Sequence, residues 1–293
     1  MIDIFYSMFE PIKEVANWVL IHVNEQQGAL VVLASTAIVG AAGAYFGSIG
    51  AQRSINREMA LRRRIEKIAV ANAAHSLATV IYNQSLSLKK QYFLPTFENW
   101  RSQRDVAVAA ISNPEQVAIP LAIHMNSFPP IHFPMEELSG QLYGKLTLNG
   151  RPLAALAELF QASHTLKSLA EDHSRLTHEF KGKPDSYTIP IYLALETAEG
   201  IDSRYEHLCH GSLQIIDDLI FFSDVLANDL IAYGHRQVKF APRRQRRFLP
   251  EVNAPGRLLP EYTHLIPTHE IHQTWLSNYV IIEPEIKRWY RCK

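Results

Sequence analysis

Thirteen histidines in 293 residues invite a search for ligand spacing. His207 and His210 stand three apart beside Glu206 and Cys209. Glu261 and His264 form a Glu-x-x-His pair, and His269 and His272 flank Glu270. On a helix, side chains three or four residues apart share a face, as a metal centre requires. Glu206, His207 and His210 are therefore the candidate metal ligands, and they would serve a membrane-tethered enzyme with a His/carboxylate site. That case is incomplete. His-Glu-x-x-His is missing, because the segment reads His269-Glu270-Ile271-His272, and a di-iron bundle needs two Glu-x-x-His motifs with two further carboxylates. Cys209 could be an activated thiol, but no third group orients it. Asp217, Asp218, Glu196 and Glu199 could hold a cation, and a solvated helix face explains them more simply. The nucleophile elbow, the P-loop, the dinucleotide fingerprint and Cys-x-x-Cys are all absent from the sequence. No catalytic residue and no cofactor is assigned.

A second group of residues offers binding rather than catalysis. Lys239, Arg243, Arg244, Arg246 and Arg247 cluster in KFAPRRQRRF, with Phe240 and Phe248 interleaved. Such a segment can sit on anionic lipid headgroups, where each cation contributes about 1 kcal/mol. It can grip nucleic-acid phosphates, or pair with the acidic stretch 214–230. The chain balances 29 Lys and Arg against 29 Asp and Glu, which disfavours a surface built wholly for nucleic acid. The cluster is assigned to lipid or a partner.

The strongest element signal is Ala29–Gly50, 22 residues without a charge. As a helix it would extend about 33 Å, enough for a hydrocarbon core of about 30 Å. Lys13 alone precedes it, whereas Arg53, Arg57, Arg62, Arg63, Arg64 and Lys67 follow. The positive-inside rule then places the N-terminus outside and the rest in the cytoplasm. Gly40, Gly43, Ala44 and Gly47 form ridges at four-residue spacing that let helix backbones approach closely in lipid. Residues 1–28 read as an amphipathic surface helix with Trp18 at the interface.

Beyond the span, 51–92 reads as a helical stalk whose face includes Ile65, Ile68, Leu77, Val80 and Ile81, stopped by Pro95. Thr96–Ile111 is a second helix, 93–236 a helical bundle, and 237–293 the basic loop with a last helix over about Thr268–Arg291. Within the bundle, 112–151 is irregular, with short helices near 115–125 and 135–147. Pro152–Phe180 is a helix opened by Pro152 and closed by Gly182. Tyr187–Gly234 is helical, with breaks near Gly200 or Gly211. The fold class is all-α, a single N-terminal transmembrane helix continuing into a cytoplasmic helical bundle. Two cysteines, Cys209 and Cys292, suit a reducing compartment.

This layout resembles, in topology and over residues 29–67 only, bacterial proteins with a short N-terminus, one Gly/Ala-rich span, an Arg-rich exit and a helical cytoplasmic domain, some of which act as membrane effectors in toxin or antiphage systems. The sequence thus predicts a non-enzymatic, membrane-anchored helical interaction protein, with an oligomeric effector as its mechanistic form. Its partners would be the bilayer, further copies of itself and a cytoplasmic protein, with no nucleic acid. Its place would be the inner, cytoplasmic membrane, crossed once.

Overall fold

The structure is a computed structural model that describes residues 25–112, 128–146, 148–254 and 260–279, with positions 14 and 125. Side chains at 25–35, 260, 261 and 269 lie outside that description, as do almost all of the expected amphipathic segment 1–28 and most of 115–125. The protein is mostly helical, so the all-α class holds. Two compact units divide the chain, Met1–Arg63 and Arg64–Lys293.

The first helix, α1 (Glu25–Leu88), contains all of Ala29–Gly50. Among the described residues, however, no helix is long and apolar enough to cross a membrane. Along this helix the described side chains begin at Thr36. The fifteen residues from Thr36 to Gly50 rise only about 22 Å, and Thr36, Ser48 and four glycines dilute them. The transmembrane part of the expected fold class is therefore not a finding of the structure.

In the second unit, α1 buries Ile68, Ala71, Ala74, Ala78 and Ile81, a three-and-four spacing that makes one face. Much of the expected stalk is thus core. The face uses alanines, which allow close packing, while Val80 is 43% exposed. Pro95 does not stop the helical run. A π turn over Lys89–Phe93 leads into α2 (Leu94–Ser112), with Leu94 N–H bonding back to Lys89 O. The wider turn accommodates the proline ring, which in α geometry strikes the carbonyl four residues back.

After α3 (Met135–Lys145), α4 (Arg151–Phe180) runs much as its proline and glycine punctuation predicts; Gly150 and Gly182 both hold positive φ, at 67° and 73°. α5 (Asp185–Leu193) ends on Ala194 in the left-handed region. A minimal hairpin follows, β1 (Glu196–Thr197) antiparallel to β2 (Gly200–Ile201), with Gly200 at φ 111°. It marks the break expected near Gly200. α6 (Arg204–Lys239) then passes through Gly211 unbroken.

Packing of α4 against α6 dominates this unit. Leu156, Leu159 and Leu166 meet Ile216, Leu219, Leu226 and Leu230 in the main core, which α1 and α3 complete. A second cluster joins Trp100 of α2, Tyr192 and Leu193 of α5, and Tyr205 and Cys209 of α6. There Trp100 Nε1–H donates to Tyr192 O at 2.8 Å, satisfying a buried indole. Past α6 come α7 (Arg243–Arg246), 3-10 turns at Pro260–Leu265 and His269–His272, and α8 (Gln273–Asn278). The expected long last helix is therefore two short pieces as far as residue 279, and its remainder lies outside the described residues.

Candidate functional site

The small-residue ridge is open. Among the described residues, a Cβ added at Gly40, Gly43 or Gly47 would meet nothing within 4 Å. No residue from Thr36 to Arg63 is buried, and Ala44 is exposed with the rest. On the same helix Ile38, Val39, Tyr45 and Phe46 are all more than half exposed. Nothing described in this chain covers that stretch of α1.

The basic segment is built as a turn. Pro242 leads into α7, and Arg246 folds back to donate to Ala241 O at 3.1 Å and Lys239 O at 2.9 Å. That fixes one arginine as scaffold. Lys239, Arg243, Arg244 and Arg247 stay exposed, and among the described residues none of them forms an ion pair. Phe240 and Phe248 stand 43% and 55% exposed, with the Arg247 guanidinium 4.6 Å from the Phe248 ring centre. The acids of 214–230 do not neutralise this cluster, because three of them are engaged elsewhere. Asp217 takes Lys89, Asp218 takes His272, and Asp229 takes Arg151.

Glu206, His207 and His210 share the first turns of α6 but point to different tasks. Glu206 pairs with Arg104 at 3.4 Å. His210 sits edge-on to Phe97 and Trp100, with centroids at 4.9 and 5.5 Å. His207 lines a groove of about 480 Å³ with Asp172, Arg175, Glu179 and Arg204. In that groove Arg204 binds both Glu179 and Asp202, holding both carboxyls below their usual range, and Arg175 pairs with Asp172. Among the described residues no group of three His, Cys, Asp or Glu side chains could hold a metal ion. Burial pushes the Cys209 thiol up to about 12, so it stays protonated and unreactive near neutral pH.

One polar cluster joins Asp217, Asp218 and His272, which the sequence marks out, in pairings that the sequence does not announce. Lys89, 7% exposed at the first residue of the π turn, donates to Asp217 at 2.5 Å and to Leu265 O at 2.7 Å. Burial raises the Asp217 carboxyl, and the ammonium opposes that rise. His272 Nε2 lies 2.8 Å from Asp218 Oδ1, with the His272 ring stacked on Phe221 at 3.9 Å. Asn253 N–H donates to Asn72 Oδ1 and its side-chain amide to Asn72 O, each at 3.1 Å. These contacts fasten a short strap, residues 251–253, to α1, and tie Leu265 and His272 to Lys89 and α6. The partners are 128 and 181 residues apart in sequence, and no local spacing announces them. Their chemistry is attachment: each charge is paired or hydrogen-bonded, as burial demands. No protein-family model, curated protein or solved structure matches the chain.

Proposed function

We propose that this is a membrane-anchored, non-enzymatic helical interaction protein. Its first helix holds it at the cytoplasmic membrane and associates with further copies, and its bundle receives a cytoplasmic partner. One observation carries the reading: between Thr36 and Arg63 the helix buries no side chain, although Ile38, Val39, Tyr45 and Phe46 are 67, 68, 64 and 55% exposed. Apolar area left in water is unfavourable by roughly 25 cal/mol per Å², so lipid tails or a second copy are its natural cover. The charge-free length of Ala29–Gly50 and the arginines that follow supply reach and direction. The open glycine ridge supplies a packing face. In the effector form of this reading, a change in the bundle repacks neighbouring anchors and disturbs the membrane.

The test is topology. Expressed in bacteria, the full chain should resist alkaline carbonate extraction. A fluorescent protein fused after Lys293 should light up, and alkaline phosphatase at the same point should stay inactive. Extraction into the soluble fraction, or an active phosphatase, would sink the anchoring and its direction respectively.

A further inference from the structure

We propose that the exposed cations Lys239, Arg243, Arg244 and Arg247, with Phe240 and Phe248, form a docking surface for anionic phospholipid headgroups. Three observations carry it. These cations have no acidic partner among the described residues, so the site presents unneutralised positive charge. Two exposed aromatic rings alternate with them, the combination that places cations at phosphates and rings at the acyl boundary. Arg246 is spent on the turn itself, bonding two backbone carbonyls, which pre-orders the loop and lowers the entropy lost on docking.

The placement within the second unit agrees. α1 and α6 run antiparallel: Lys89 meets Asp217, Leu86 and Ile220 share one cluster, and near the other end Asn72 bonds Glu251 O while Val252 lies against Gly234. The C-terminal end of α6, and the basic turn that follows it, therefore lie at the end of this unit where α1 enters at Arg64. The charge complementarity selects phosphate-bearing lipid over a neutral surface. The choice of lipid over nucleic acid rests on the anchoring reading above.

The experiment uses the full chain in lipid nanodiscs, which leave both faces accessible. One set contains phosphatidylcholine alone, and the other contains three parts in ten of phosphatidylglycerol. Amide hydrogen exchange is followed for the peptide 239–249. Exchange should slow at least threefold in the anionic discs. The protection should vanish in 0.5 M salt, and in the variant Arg243→Gln, Arg244→Gln, Arg247→Gln, which keeps Arg246 and hence the turn. Equal exchange in the two discs overturns the proposal. So does protection by an RNA oligonucleotide in phosphatidylcholine discs with none from phosphatidylglycerol. Carbonate resistance is scored on the same preparations. A chain that fails to insert yet is protected only by anionic discs overturns the anchoring reading and supports this one. A chain that inserts without any difference between discs does the reverse.

Discussion

His173 shows what a single buried side chain does to this molecule. It is 1% exposed, its ring centre lies 4.2 Å from that of Phe128 and 5.8 Å from that of Tyr205, and among the described residues neither ring nitrogen has a hydrogen-bond partner. Burial lowers its pKa to about 4 from the ordinary 6.5. The fold therefore holds it neutral while the unfolded chain takes up a proton. Stability should fall as pH drops from 6.5 to about 4 and level off below. The loss is about 3 kcal/mol, from about 1.4 kcal/mol per unit. His173→Leu removes the titrating group at similar volume. Urea unfolding at pH 7.5 and 4.5 should show a much smaller difference in the variant, with His75, also lowered by burial, retaining part of it. An unchanged difference would mean that the native state accepts the proton at this site. By the same residue-scale logic, the pairing of Lys89 with Asp217 was invisible in the sequence. A lysine in a polar helix and one of four neighbouring aspartates carry no mark of a meeting across 128 residues. Reading Asp217 and Asp218 as a solvated face failed because their partners, Lys89 and His272, arrive from the π turn and from the C-terminal segment.

At the scale of elements, glycines in α6 give opposite forecasts for one substitution. Gly→Ala in a helix normally stabilises by up to about 1 kcal/mol. At Gly211 the new Cβ would meet the Leu169 methyls at 3.5 and 3.7 Å, ordinary contact, so Gly211→Ala should raise the midpoint of unfolding. At Gly234 it would meet Val252 at 2.8 and 3.2 Å, closer than packing permits. Gly234→Ala should therefore destabilise by about 1 kcal/mol net and loosen the strap, seen as faster amide exchange over 251–253. Adding Val252→Ala should restore the loss. A stabilised Gly234→Ala with unchanged exchange would show that the strap yields freely. The sequence announced α4 clearly, because Pro152 and Gly182 punctuate it and leucines recur on one side. It misled at Pro95, because a π turn tolerates what an α turn rejects, and periodicity does not register one extra residue in a turn. It misled again at the last helix expected over about Thr268–Arg291, where the bonds from Lys89 to Leu265 O and between Asp218 and His272, rather than local propensity, shape the chain.

For the whole molecule the question is what covers the first helix. The bundle has its own core and its own internal pairing of charge, whereas Thr36–Gly50 has apolar residues and no cover in the described chain. Of the candidate functional residues, the basic segment stands out in the sequence as a cluster of cations and the glycine ridge as a spacing of small residues. Whether copies meet along the ridge is a matter between chains. Gly43→Leu with Gly47→Leu separates the alternatives. Both positions have open space within the chain, so the leucines strain nothing internal and favour the helix over glycine. They also make the segment more apolar, which favours insertion. They add bulk where two backbones would touch and meet nothing among the described residues of their own chain, so they damage a contact with another copy. The variant should reach the membrane at the parent's level and give several-fold fewer crosslinked multimers in intact cells. Undiminished crosslinking would assign the helix to anchoring alone and move any self-association to the bundle. The effector mechanism would then lose its route, because a change in the bundle would have no packed spans to rearrange.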